Sequence, residues 1–228
     1  MRRRGRSRIR RVAVYIGAAV ILVIALVFLF QSQNSPTKPI IMYVDQGNGV
    51  VNESNFGTML GFASSHSFNT VFFQVYREGA LLFDGNELSY FVNQSHAEGL
   101  KIFFALYFTN SSQPMPSVIF GLGEDGISLD VSALSLSTQE ALLADLALCH
   151  CQTAVTTTDM NSPLGPDLLI LETYGPAYQR YIRPGIIASV GVFATSSVTE
   201  YQSQFQYALA NSDGVMVFDY AGLLRSGY

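Results

Sequence analysis

Carboxylate side chains end several apolar segments of this 228-residue chain, at positions where they could carry out acid–base chemistry. Two carboxyl groups can act together when burial or a nearby negative charge raises the pKa of one while the other stays ionised. One group then protonates a leaving group, and the other activates or acts as a nucleophile. The acids that close apolar segments are Asp45, Asp130, Asp159, Glu172 and Asp219.

The apolar segments themselves predict eight β-strands. Each is about five to eight residues long, rich in β-branched and aromatic residues and bounded by turn residues, as is typical of strands buried on both faces. Helical patterns separate most of them, at 55–66, 87–98, 137–149 and 199–211, with a shorter one at 176–182. The predicted strands span 40–45, 70–76, 101–108, 126–131, 153–159, 168–172, 186–193 and 214–220.

Strands that alternate with helices indicate parallel pairing, so this α/β chain is expected to form a compact (β/α)8 TIM-like barrel. Some outer helices should be missing, because 110–125 and 160–167 are too short or too rich in Pro, Gly and Ser to form them. The chain also ends eight residues after the last predicted strand, so no final helix is expected. An open, doubly wound sheet is the alternative architecture.

In a closed barrel the carboxyl ends of all strands meet at one rim, where the active sites of this fold are built. The five acids would then converge on a single mouth. A helix cap or a turn is the competing role for an Asp at a strand end. That role fits Asp159 best, because a Pro-containing loop follows it, and fits Glu172 worst, because Glu is a poor N-cap.

Tyrosines occur at or near the same strand ends. An aromatic ring with a polar tip can stack on a sugar face while its hydroxyl forms hydrogen bonds, and packing within the barrel wall is the alternative. The tyrosines concerned are Tyr76, Tyr107, Tyr174 and Tyr220.

Four segments carry a resemblance to a known family. FNTVFFQVYREGALLF (68–83) and SHAEGLKIFFALYF (95–108) are similar to the second and third strand units of glycosyl-hydrolase-like TIM barrels. DGISLD (125–130) resembles the fourth strand of those proteins and of chitinase-like and polygalactosaminidase-like barrels, and DGVMVFDYAGL (213–223) resembles their final strand. The chain departs from the pattern at Tyr76, where an Arg usually follows Gln-Val, and it lacks the aromatic-rich segment after the third strand.

The resemblance implies one essential Asp at the end of strand four and one essential Glu at the end of strand six, which correspond to Asp130 and Glu172. Our leading hypothesis is therefore a barrel that binds and hydrolyses a glycan, with Glu172 as the acid and Asp130 as the nucleophile or base. No cofactor is expected. The residues predicted to bind the substrate are Asp45, Asp219, Tyr76, Arg77, Tyr107, Tyr174 and Tyr220.

Two other functions stay open. A catalytically inactive envelope protein could use the same mouth to bind glycan or could serve as a structural partner, which the absence of Trp and the replaced Arg favour. An interaction module could instead dock through a barrel flank that the missing helices leave exposed.

The N-terminal segment predicts a membrane anchor. Residues 12–30 are nineteen positions without a charge, long enough to cross a bilayer, and they end in bulky residues that disfavour signal-peptide cleavage. Seven arginines make residues 1–11 a cytoplasmic head under the positive-inside rule. With 31–38 as a polar linker, the barrel domain at 39–228 should be extracytoplasmic, in a single-pass protein whose partner is the lipid bilayer.

Other classes of site are disfavoured. From residue 31 onward the chain has six basic and seventeen acidic residues, a net charge of −11, which argues against nucleic-acid binding. Cys149, His150 and Cys151 are consecutive, and neighbours on a helix lie about 100° apart, so no metal site is expected. The histidines lie on predicted helices away from the rim, which disfavours a Ser-His-Asp triad.

The sequence also contains three N-glycosylation sequons, at Asn52, Asn93 and Asn110, which would be usable on the outer side of a membrane.

Overall fold

The computed structural model describes residues 37–110, 112–147, 151–159, 162–174, 178–191 and 197–227. Lys38–Tyr228 form one compact unit. The predicted anchor at 12–30 and its Arg-rich head lie outside the described residues. Within the described ranges, no helix combines the length and apolar character needed to cross a bilayer.

Eight parallel strands close into a barrel, because β1 pairs with both β2 and β9. This closure confirms the predicted (β/α)8 architecture and excludes the open sheet. The hydrogen-bonded order around the barrel is β1-β2-β4-β5-β6-β7-β8-β9. The strands are β1 (Ile40–Val44), β2 (Thr70–Arg77), β4 (Lys101–Tyr107), β5 (Gly126–Asp130), β6 (Gln152–Thr157), β7 (Leu168–Glu172), β8 (Ile187–Gly191) and β9 (Gly214–Phe218).

A ninth strand that the sequence pattern did not predict, β3 (Ala80–Leu81), pairs antiparallel with the end of β2. The two residues of the connecting turn, Glu78 and Gly79, have φ of 53° and 92°. Positive φ at both central residues is the geometry that a tight hairpin with the right-handed twist of its strands requires. The hairpin extends β2 beyond the rim and holds Arg77 at its edge.

In the part of the chain that the structure describes, five α-helices cover parts of the barrel. Side-chain caps start each one, at Asn52, Asp84, Ser135, Ser197 and Asp219. The helices are α1 (Glu53–Ser65), α2 (Gly85–Ala97), α3 (Leu136–Leu146), α4 (Val198–Asn211) and α5 (Tyr220–Ser226).

The final helix corrects the sequence-based expectation that none would follow the last strand. Strand β9 ends at Phe218, two residues earlier than predicted, and the Asp219 carboxylate caps α5 by accepting from the Gly222 N–H at 2.8 Å. The helix ends at Gly227, whose φ of 74° is the left-handed conformation common at helix C-termini.

The outer layer is incomplete at the connections where the sequence indicated gaps. Between β4 and β5 the described residues form only a 3-10 turn (Ser117–Ile119), and those between β6 and β7 form no helix. The helix predicted at 176–182 is a 3-10 turn at Tyr178–Arg180 in the described part of that segment.

Loops cover the strands where helices are missing. The outward side chains of Val155 on β6 and Leu171 on β7 are at most 1% exposed. Val155 belongs to the same apolar core as Leu164 and Ile182 from the adjoining loops. At these two strands, the described residues therefore leave no exposed apolar surface of the kind that a docking module would use.

The lower part of the barrel interior is a packed apolar core. Phe72 and Phe103 stack at 4.8 Å inside it, next to Ile41 and Ile187. Gly126 makes room for the Phe103 ring, because any side chain at that position would collide with it. The chemistry of the barrel is thereby restricted to its upper layers and mouth.

Candidate active site

Closure of the barrel brings the acids at the strand ends to one rim. Asp130 and Glu172 are the last residues of β5 and β7, whereas Asp45 and Asp219 directly follow β1 and β9. Asp159, after β6, is exposed, and its backbone carbonyl accepts from the Ser162 N–H at 3.2 Å.

Asp130 and Glu172 lie at equal height in the barrel on alternate strands. Asp130 is the register partner of Thr156 on β6, and Thr156 is the partner of Ile170 on β7. In an eight-stranded barrel with a shear of eight, residues at equal height shift by about one position per strand. Two strands beyond Asp130, equal height therefore falls two residues past Ile170, at Glu172.

The side chains of one such layer come from alternate strands and point to the barrel axis. The backbones of β5 and β7 are about 10 Å apart, since neighbouring strands are spaced by about 4.8 Å. Because both side chains project inward, the carboxyl groups of Asp130 and Glu172 approach each other more closely than the backbones do. This arrangement is the one an acid–base pair needs.

The electrostatics of the two acids reflect this proximity. Burial, followed by the negative charge of Asp130, raises the pKa of Glu172 to about 6. Burial also raises the pKa of Asp130, and the charge of Asp45 adds to that rise. Hydrogen bonds from the hydroxyl and backbone of Ser132 oppose it, because they favour the ionised form of Asp130. Glu172 is thus suited to hold a proton near neutral pH.

Tyr174 belongs to the same site. Its hydroxyl forms a hydrogen bond of 2.9 Å with the Ser189 hydroxyl of β8. Burial raises the pKa of Tyr174, and the charges of Glu172, Asp130 and Asp219 raise it further. The phenol therefore stays neutral and can donate a hydrogen bond beside the carboxyl pair.

A hydrogen-bonded network holds the β1 side of the mouth. The Arg77 guanidinium donates to the Asp45 carboxylate at 3.0 Å and lies over the Tyr107 ring, 5.4 Å from its centroid. The Asn48 amide donates to Asp45 at 2.7 Å and to Asp219 at 3.1 Å. Asp45, Arg77 and Tyr107 are thus brought together at the rim, as the sequence predicted, but Asp45 is already paired.

Asp219 is only 3% exposed. One of its carboxylate oxygens caps α5, and the other accepts from Asn48. The capping role that competed with substrate binding is therefore the one that Asp219 performs in this structure.

Two tyrosines do not lie where the sequence placed them. Tyr76 packs outside the barrel against Phe108 and donates to the Pro114 carbonyl at 2.8 Å, because a register shift between Gln74 and Tyr76 turns it away from the axis. Tyr220 packs edge-on against Phe62 of α1, in the outer layer. The prediction that these two rings line the mouth is wrong.

Sequence reasoning missed two polar residues under the mouth. Tyr43 points inward from β1, and burial, with the charges of Asp130 and Asp45, raises its pKa. Gln74 is 2% exposed on β2, and its side-chain oxygen accepts from the Gln46 N–H at 3.0 Å. The available signal was a lone polar residue inside the apolar run TVFFQVYR, since buried polar side chains need partners.

No metal centre emerges from the described residues, where no cluster of three or more His, Cys, Asp or Glu side chains could hold an ion. Cys151 is disulfide-bonded, whereas Cys149 and His150 lie outside the described residues. His96 contacts Asp125 at 2.9 Å, and Asp125 precedes β5, at the opposite end of the barrel from the acids.

Comparison with known proteins gives a shared fold. No protein-family model and no curated protein matches the chain by sequence. A GH113 β-mannanase from Alicyclobacillus acidocaldarius, solved in complex with ManMIm, superposes with a TM-score of 0.56 at 11% identity, over 80% of this chain and 86% of that chain.

A second solved structure, a complex of a GH113 β-1,4-mannanase, gives a TM-score of 0.56 at 9% identity over 80% and 88% of the two chains. At these identities the likeness establishes the barrel fold that this chain has in common with two glycoside hydrolases.

Proposed function

We propose that the chain is a membrane-anchored, extracytoplasmic glycoside hydrolase that cleaves glycosidic bonds of a cell-envelope or extracellular glycan. The observation that carries the proposal is the pairing of Asp130 and Glu172 at equal height on alternate strands, with the pKa of Glu172 raised to about 6. Two solved glycoside hydrolases with the same barrel fold support it.

In this mechanism the protonated Glu172 carboxyl donates its proton to the glycosidic oxygen as the bond to the anomeric carbon breaks. The ionised Asp130 carboxylate attacks the anomeric carbon or removes a proton from the attacking water, and the transition state resembles an oxocarbenium ion. Tyr174 donates a hydrogen bond beside the pair. Arg77 donates hydrogen bonds to sugar hydroxyls at the rim, and Tyr107 contacts the sugar beside it.

The N-terminal segment supports the membrane part of the proposal through its composition alone. An uncharged run at 12–30 behind seven arginines favours a single-pass anchor with its N-terminus in the cytoplasm. Retention of the expressed full chain in membrane pellets after alkaline carbonate extraction tests the anchor, and protease accessibility of 39–228 on intact cells tests the orientation.

A glycan-binding barrel without turnover is the second candidate. The ion pair between Arg77 and Asp45 favours it, since a mouth whose polar groups bond to each other has fewer of them free for a transition state. If the protein instead has a purely structural role in the envelope, it should bind no glycan.

Release of reducing ends by the purified full chain separates these candidates. The substrates would be a panel of polysaccharides, beginning with β-mannan because the two structural neighbours are β-mannanases. Turnover of one polysaccharide supports hydrolysis, and binding without turnover supports the second candidate. The anomeric form of the first product, read by proton NMR, then assigns Asp130 as nucleophile (retention) or base (inversion).

A further inference from the structure

Two buried hydroxyls inside the barrel have no hydrogen-bond partner among the described residues. They are the Oγ of Ser128 on β5 and the Oγ1 of Thr156 on β6, whose residues are 1% and 3% exposed. A buried hydroxyl that makes no hydrogen bond costs free energy, so a native structure usually supplies a partner or an ordered water.

Both hydroxyls lie next to the proposed catalytic pair. Ser128 precedes Asp130 by two residues on β5, so the two side chains point to the same inner face of the barrel. Thr156 is the register partner of Asp130 on the next strand. The two hydroxyls are therefore the polar groups directly below and beside the Asp130 carboxyl.

The strands contribute mostly short side chains to the layer that contains Thr156, and the Tyr174 hydroxyl reaches this layer to bond with Ser189. By the same shift of about one residue per strand, its other members are Tyr43, Ala105 and Ser189, so three of its four side chains are small. Bulky branched residues usually fill such layers. Buried polar groups that lack a protein partner are where internal water is found, usually with about three hydrogen bonds to each molecule.

We propose that ordered water occupies this layer, bonded by the hydroxyls of Ser128 and Thr156 and donating to the Asp130 carboxyl from below. Its consequence for catalysis rests on the proposed function: a donor beneath Asp130 keeps that carboxylate ionised while Glu172 holds the proton. The water itself depends only on the geometry of the barrel interior.

The titration of Asp130 has several other determinants. Asp45 and Tyr43 face it from β1, Glu172 and Tyr174 from β7 and the loop after it, and Ser132 bonds it from its own strand end. Because Thr156→Val leaves all of these in place, a change in the pKa of Asp130 in that variant reports the hydroxyl and the water that it holds.

Three measurements on the full chain without any glycan test the proposal. The first is a crystal structure at a resolution that shows bound water. The second is the Tm of Thr156→Val, with Thr157→Val as the matched control, because Thr157 is equally buried on the same strand but accepts from the Asp159 N–H at 3.0 Å. The third is the pKa of Asp130 from carbon-13 NMR of the labelled carboxyl, compared between the parent and Thr156→Val.

We expect water within hydrogen-bond distance of both hydroxyls, a lower Tm in both valine variants, and a higher pKa of Asp130 in Thr156→Val. A dry interior would overturn the proposal. So would a rise of about 2–4 °C in the Tm of Thr156→Val, since replacing an unbonded hydroxyl with a methyl group stabilises a protein. An unchanged pKa of Asp130 would disprove the link to the carboxyl. If the parent hydrolyses no glycan but the water is present, the proposed function fails and this inference stands.

Discussion

Asp130 and Glu172 lie at equal height inside the barrel although a whole strand, β6, separates them. The charge of Asp130 raises the pKa of Glu172, and burial raises it more, to about 6. Glu172 therefore keeps its proton to a higher pH than an exposed glutamate would, which suits it to the acid role in this mouth.

The first expectation concerns the dependence of turnover on pH. The acid form of Glu172 predominates below pH 6, so kcat/KM for a glycan should fall as the pH rises through about 6. Initial rates in buffers of constant ionic strength measure the profile. A profile that stays flat from pH 5 to about 8 would assign the acid role to another group.

Glu172 should also make the fold less stable as the pH rises. Its folded-state pKa of about 6 exceeds the ordinary value of 4.5, so the folded state resists ionisation that the unfolded state permits between these values. Glu172→Gln removes this effect, and after allowance for solvent screening we expect a gain of about 1 kcal/mol in unfolding free energy at pH 7. Below pH 4.5 the gain should vanish.

Urea titrations of the parent and of Glu172→Gln at pH 4 and pH 7 measure this difference. Equal effects of the substitution at both pH values would contradict a raised pKa at this position.

Arg77 should stabilise the rim through Asp45. Asp45 is partly buried, with 12% of its side chain exposed, so removal of its cationic partner leaves a poorly solvated carboxylate. We expect Arg77→Gln to lower the free energy of unfolding by about 1 kcal/mol, and the Tm by about 2–4 °C. Glu78→Gln is the control, because Glu78 is 55% exposed and its contact with Arg77 is longer, 3.6 Å. Calorimetry showing the same Tm for both variants would count against a supporting role of the ion pair.

Substitutions of Tyr76 and Tyr107 distinguish a tyrosine that packs outside the barrel from one that lies at the mouth. Tyr76→Phe removes the hydrogen bond to the Pro114 carbonyl, so we expect a loss of about 1 kcal/mol in stability with unchanged glycan affinity. Tyr107→Ala, at the rim beneath Arg77, should weaken glycan affinity instead. Isothermal titration calorimetry with the glycan measures the affinity of both variants. A lower affinity in Tyr76→Phe would show that the Tyr76 side chain does contribute to glycan binding.

The barrel and the gathering of its acids at one rim could be predicted because they depend on local patterns, whereas the choice of Asp130 and Glu172 as the pair came from the family resemblance. Apolar runs of strand length mark the strands, and the closed parallel topology then places whatever follows each strand on one rim. The positions of Asp130 and Glu172 follow directly from these two facts.

The predictions for Tyr76 and Asp219 failed for a physical reason that the periodicity of the sequence does not reveal. A single register shift after Gln74 turns Tyr76 outward and brings Arg77 to the rim. A short hairpin at Glu78 and Gly79 extends β2, and Asp219 is bonded as a helix cap. Each depends on one or two residues of backbone geometry, whereas strand prediction averages over five or more.

The most direct test of the account is the turnover of a hydrolysed glycan by Glu172→Gln and Asp130→Asn, with affinity measured on the same samples. Asp159→Asn is the control, since Asp159 also follows a strand but is exposed. We expect each of the first two variants to lose about 10²–10⁴-fold in kcat with glycan affinity retained, and the control to keep parental turnover. Parental turnover in Glu172→Gln or Asp130→Asn would contradict the paired-carboxylate mechanism.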